Sequence, residues 1–180
     1  MNNLNHQRTP RRRVDLGAAM SVPIVWQITV PGRPVPLARG RHANGRVNNE
    51  RRSLEYQSLL ALSMRTKMNH DAVPHTAAPF TKEDRGRVFP KGTPLYAIFC
   101  FSGPDVETAD FDNLTKSAAD AITKAGVWWD DKQVNASYIE RIKESAPRTT
   151  IRIFSSKEAF CANLVTSTDR SNVQVVPEVP

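Results

Sequence analysis

Two hydrophobic periods alternate along the chain. Residues 24–30 (IVWQITV) place Trp26, Ile28 and Val30 on one face and Val25, Gln27 and Thr29 on the other, the two-residue alternation of a strand. Pro31-Gly32 ends it. From about Asn49 the period lengthens: Tyr56, Leu59, Leu60, Ser63 and Met64 fall at i, i+3, i+4, i+7 and i+8, which predicts a helix to about Met68 with one largely apolar face against a sheet. Residues 95–101 (LYAIFCF) are apolar on both faces, as expected of a central strand covered on each side. Then Leu114, Ala118, Ala121, Ile122 and Ala125 recur at helical spacing, with Gly126 as the stop and Asp112 or Asn113 as the expected N-cap.

Residues 134–142 and 149–153 are two further extended stretches around the turn-like Glu144-Ser145-Ala146-Pro147-Arg148, predicting a terminal hairpin. The remaining segments lack a period. Residues 31–46 form a basic loop rich in proline and glycine, and residues 69–93, with Pro74, Pro79 and Pro90, form a long loop. Residues 1–22 read as a basic disordered arm in which Met20 is a second candidate start, and residues 156–180 as a flexible tail. The expected architecture is a single α/β (α+β) domain over 23–155, a mixed β-sheet packed with two main helices, consistent with one core in a chain of 180 residues.

No apolar run approaches the ~18–20 residues of a membrane helix, and no apolar stretch follows the N-terminal arginines, so a cytoplasmic location is expected. Cys100 and Cys161 stand outside any CxxC pair and are expected as free thiols. The net charge of +7 is unevenly placed. Ten arginines face only Asp15 and Glu50 between Met1 and Arg52, and the remainder is nearly neutral but concentrates aspartates. A basic half to attract a phosphate backbone and an acidic half to hold a cation suit a phosphodiester-cutting enzyme; a merely soluble basic surface is the plain alternative.

The acidic residues carry the chemistry. Asp110 and Asp112 stand two apart before the second helix, and Asp130 and Asp131 follow it, where a return strand is expected to bring them back. Mg²⁺ (with Mn²⁺ as a substitute) needs octahedral oxygen coordination and is commonly held by one or two carboxylates plus substrate phosphate. It would lower the pKa of a bound water and neutralise charge at phosphorus for in-line hydrolysis. Lys116, one helical turn beyond Asp112, is placed to add positive charge to the same phosphate. Singly, each has an ordinary explanation: Asp112 as a cap, Asp130-Asp131 as a turn, Asp110 as a solvated surface group.

Taken together, D-F-D-N-L-x-K (110–116), D-A (120–121) and G-V-W-W-D-D-x-Q-V (126–134) resemble the signature of the RusA family of Holliday junction resolvases. The upstream P-G-x-P-x-P-x-A-R-x-R (31–41) and Lys143 are similar to family patterns, and the resemblance runs over residues 24–153. It implies a crossover-junction endodeoxyribonuclease of DNA recombination and repair, often phage or prophage encoded. Such an enzyme acts as a Mg²⁺-dependent homodimer and places paired symmetric nicks across branched DNA. Carried over, Asp110, Asp112 and Asp131 become the metal-binding carboxylates and Lys116 the catalytic helper, with Asp130 and Asn113 in a second tier. Arg33, Arg39, Arg41, Arg46 and Lys143 become DNA contacts. Ala109 departs from members that carry a basic residue there. A homodimer suits the approximate two-fold symmetry of a four-way junction.

His42, His70 and His75 lie in no HxxxH or HNH pattern, and there is no P-loop or dinucleotide fingerprint. Trp26 and one of the adjacent Trp128 and Trp129 are expected in packing, because alternation sends that pair to opposite faces. Two other readings remain at this point: a noncatalytic branched-DNA-binding protein, and a metal nuclease acting on flaps or single strands.

Overall fold

A computed structural model describes residues 25–37, 41–43, 46–48, 51–70 and 86–168, with the side chains of 41–43, 46–48 and 166–168 excepted. The expected arm, most of the long loop and the last twelve residues lie outside them. The elements run β1 (Val25–Pro31), β2 (Arg41–Ala43), β3 (Arg46–Asn48), α1 (Arg51–His70), β4 (Leu95–Ser102), α2 (Phe111–Ala125), β5 (Val134–Ile142), β6 (Arg148–Phe154) and α3 (Lys157–Thr168). Short 3-10 turns at Val106–Thr108 and Asp131–Gln133 precede α2 and β5.

The main sheet is mixed, in the order β1-β6-β4-β5, with β4 and β5 parallel and the other two pairs antiparallel. The fold is α+β. β4 is central, as its apolar run predicts, and β1 shows the expected alternation, with Trp26, Ile28 and Val30 buried. β5 and β6 are not the expected hairpin: β4 lies between them, and residues 143–147 pass over its end. There Gly103 donates to the Ile142 carbonyl (3.1 Å) and accepts from the Glu144 amide (3.4 Å). Short linker and extended flanks mimic a hairpin, but an apolar strand buried on both faces demands a partner on each edge, and both β5 and β6 satisfy β4.

Side chains alternate across β4, so Leu95, Ala97, Phe99 and Phe101 join a core with α1 and α2, while Tyr96 and Ile98 meet Phe154 and Phe160 on the opposite face. That second cluster corrects the expected tail: residues 157–168 form α3, seated on the sheet through Phe160, Ala159 and Leu164. Helix α1 buries Tyr56, Leu60 and Met64 as expected, but Leu59 is 45% exposed, and Ser53, Gln57 and Ala61 take the inward positions instead. The Tyr56 hydroxyl, its pKa raised by burial, exchanges a 2.7 Å hydrogen bond with the Thr149 hydroxyl and so ties α1 to β6. In α2, Leu114, Ala118, Ala121, Ile122 and Ala125 are all buried, and small alanines let α1 approach closely. Part of the basic loop is regular: β2 and β3 pair antiparallel, with Arg41 opposite Asn48 and Ala43 opposite Arg46. No described helix is long and apolar enough to cross a membrane.

Candidate active site

Helix α2 begins two or three residues earlier than expected, because its N-cap is Asp110 rather than Asp112 or Asn113. Extended backbone at Asp110 turns its carboxylate back over the first turn, where Oδ1 accepts from the Asp112 amide (3.1 Å) and Oδ2 from the Asn113 side-chain amide (2.9 Å). Each oxygen retains a lone pair, so the cap does not use up the donor capacity of the carboxylate. Asp112 sits in the first turn, where negative charge is favoured by the helix dipole. Lys116 lies one turn further on, exposed like both aspartates.

The connection leading into Asp110 is clasped by three cations. Arg33 pairs with Asp105 (3.0 Å), Lys143 pairs with Glu107 (3.8 Å), and the Arg141 guanidinium donates to the carbonyls of Glu107 (3.0 Å) and Ala109 (2.9 Å). The loop that carries Arg33 is docked from the other side, where the Leu37 amide donates to the Asn113 carbonyl (2.9 Å). Both ion pairs are largely exposed, so they contribute little to stability. Arg141 was missed by sequence reasoning, because its role depends on β5 running parallel beside β4. Arg39 lies outside the described residues, and Arg41 and Arg46 are placed only as backbone positions on β2 and β3.

Asp130 and Asp131 occupy the other end of α2. Asp130 caps the 3-10 turn, its Oδ1 accepting from the Lys132 amide (3.0 Å), and that bond holds its pKa below the ordinary range. Gln133 fastens the turn: Oε1 accepts from the Trp129 (2.8 Å) and Asp130 (3.3 Å) amides, while Nε2 donates to the Pro90 (2.9 Å) and Thr93 (3.2 Å) carbonyls. Asp131 is pushed above the usual carboxylate range, first by the hydrogen bond it shares with Asp130, then by partial burial and the charges of Asp130 and Asp120. Trp128 is fully buried and donates to the Thr123 hydroxyl (2.6 Å), whereas Trp129 stacks under the Arg87 guanidinium at 4.0 Å.

Thus the expected gathering of Asp131 with Asp110 and Asp112 does not occur within one chain. The 15 residues of α2 amount to ~22 Å of helix. Parallel pairing of β4 and β5 requires the helix to return the chain along the sheet, which sends its two flanking acidic segments to opposite ends. Among the described residues, no three His, Cys, Asp or Glu side chains meet closely enough to hold a metal ion.

Comparison with known proteins bears on the same segments. The family described as Endodeoxyribonuclease RusA matches residues 31–154. Proteins named Crossover junction endodeoxyribonuclease RusA, from Escherichia coli (strain K12) and Shigella sonnei (strain Ss046), are each 61% identical to this chain over 31 residues. That match takes in 17% of the chain and 26% of each relative, about a quarter of the relatives' length. With strands β2 to β6 and helices α1 and α2 inside the matched span, the chain belongs to the RusA family of endodeoxyribonucleases.

Proposed function

We propose that this protein is a Mg²⁺-dependent endonuclease that resolves four-way DNA junctions by paired nicks and acts as a homodimer. The observation that carries the proposal is the α2 N-terminus: an anchored Asp110, an adjacent Asp112 and Lys116 one turn away, reached through a connection clasped by Arg33, Arg141 and Lys143.

The donor set fits the metal, since exposed carboxylate oxygens are the hard ligands that Mg²⁺ prefers. One protomer supplies two such groups at one end of α2 and a third, Asp131, at the other. A two-fold dimer resolves this separation if the α2 N-terminus of one protomer meets the Asp130-Asp131 turn of its partner, because the symmetry then builds two equivalent sites at once. When bound, the metal would supply a water of lowered pKa and neutralise charge on the phosphate. Asn113 holds the Asp110 carboxylate in one orientation, and the Lys116 ammonium donates to a non-bridging phosphate oxygen as charge develops there. Arg33 and Lys143, released from Asp105 and Glu107, grip flanking phosphates and set the register of the strand.

The test is incubation of the purified protein with a synthetic mobile four-way junction and Mg²⁺. Paired, symmetric nicks that disappear in Asp112→Asn are expected. Junction binding with no metal-dependent cleavage by the wild type, or preferential cutting of flaps and single strands, would overturn the reading.

A further inference from the structure

A cleft of about 310 Å³ opens beside the α2 N-terminus. Its walls come from three separate segments: Arg33 to Pro36 after β1, Arg52 at the start of α1, and Gly103 to Ala109 between β4 and α2. Ala109, the residue before Asp110, forms part of the lining. Resting on the function proposed above, we propose that this cleft seats a single nucleotide of the junction strand next to the scissile phosphate, and that the fit of its base biases where the strand is cut.

The lining divides as a nucleotide does. Two guanidiniums, Arg33 and Arg52, stand at the cleft, and such groups bind phosphate in bidentate fashion. Pro34, Pro104 and Val106 offer apolar surface for the face of a base; the Asp105 carboxylate, once Arg33 leaves it for phosphate, and the Thr108 hydroxyl, which donates to the Asp105 carbonyl (2.8 Å) and keeps its acceptor lone pairs, can meet a base edge. The volume sits at the lower end of small-ligand sites, ~300 Å³, which suits one unstacked nucleotide rather than a stacked run.

The cleft is also preformed. Backbone hydrogen bonds from Gly32 to Pro147 (2.9 Å), Gly103 to Ile142 (3.1 Å) and Leu37 to Asn113 (2.9 Å) fix its walls to the connection before β6, to β5 and to α2 respectively. Gly103 takes a φ of 158° that side-chain-bearing residues rarely adopt, with Pro147 and Pro34 at ordinary contact distance beside it. Preorganised walls mean that little ordering accompanies binding, so differences between bases are expressed as differences in affinity. Because the cleft adjoins Asp110, a nucleotide held in it fixes which phosphate reaches the carboxylates.

The experiment scans a four-way junction with single abasic residues at each position around the exchange point, reading both cleavage with Mg²⁺ and binding without metal. A loss of ~10-fold at one position is expected for the wild type, the scale of one stacked base. Thr108→Trp, which fills the cleft from an exposed position, should lose that abasic penalty and spread its nicks over more positions of a mobile junction. Arg52→Ala should weaken binding and reduce the salt dependence by about one phosphate contact. This variant leaves the core untouched and keeps the test decisive if Thr108→Trp folds poorly. A flat abasic scan in wild-type binding and cleavage, or unchanged binding and salt dependence in Arg52→Ala, would overturn the inference. Nicking with a flat scan would remove the cleft alone, whereas an abasic penalty in binding with no nicking of any junction would remove the nuclease reading and leave the cleft.

Discussion

The side-chain amide of Asn113 donates to Oδ2 of Asp110 at 2.9 Å, while the Asn113 carbonyl accepts from the Leu37 amide at 2.9 Å, so one residue joins the carboxylate to the arginine-bearing loop. Outer partners of metal-binding carboxylates typically contribute ~10–100-fold in metal affinity or activity. Asn113→Ala is expected to raise the Mg²⁺ concentration needed for half-maximal cleavage by about that factor, with little change in rate at saturating metal. A metal titration of cleavage checks this, and an unchanged midpoint would show that Asp110 needs no such support.

Opposite placement of the two acidic segments yields a complementation experiment. Asp112→Asn and Asp131→Asn homodimers are each expected to be inactive. Mixed and re-equilibrated, they form heterodimers in which one site shared between protomers carries both substitutions and the other carries neither. Recovery of single-strand nicking, without paired nicks, is therefore expected. If each site lay within one chain, every site in the mixture would carry a substitution, and the mixture would stay inactive.

Asp131 links the site to stability. Its raised pKa favours the protonated form in the folded state, so that contribution is complete below the ordinary carboxylate pKa and fades as pH rises through the raised value. Asp131→Asn cannot ionise and is expected to melt higher than the wild type at pH 7 without metal. Solvent screening limits the gain to less than the ~2–4 °C that 1 kcal/mol produces in a domain of this size. The difference should vanish near pH 3, where both proteins are neutral at this position. Parallel melting curves across pH would show it, and a lower-melting variant at pH 7 would contradict it.

Arg141 should behave as a positioning residue. Its guanidinium binds two carbonyls of the turn before Asp110, so Arg141→Ala removes two charge-assisted hydrogen bonds and leaves the carbonyls of Glu107 and Ala109 without that partner. Cleavage is expected to fall ~10-fold or more while the sheet stays intact, the sensitivity shown when a reacting geometry loosens. Arg141→Lys, which lacks the planar fork, should restore only part of the activity. Full activity in the alanine variant would show that the turn holds its shape unaided.

The sequence disclosed the pieces more readily than their arrangement. The β1 alternation, the two-faced β4 run and the apolar face of α2 each follow from a local period, and the structure repeats them. The pairing of β5 was not legible, because its partner β4 lies more than thirty residues upstream and a nearer extended stretch, β6, offered a simpler match. Helix α3 escaped notice because, among its described side chains, Phe160 is the only large one buried, and the reason for its burial lies in Tyr96, Ile98 and Phe154 on the sheet. In the site, Asp110, Asp112 and Asn113 stand out as adjacent letters. Their distance from Asp131 depends on the parallel pairing of β4 and β5, and the role of Arg141 depends on the same register.

Strand β6 is near the end of the described residues yet sits between β1 and β4, and among them it is the only strand that pairs with β1. During synthesis the first strand therefore waits for the last, with most of the intervening chain already made. Such distant pairing makes folding slow and leaves apolar edges exposed until completion. It also means that a chain cut short before residue 148 cannot assemble the sheet on which the arginine loop and the α2 aspartates are mounted, so an incomplete copy would lack a seat for both.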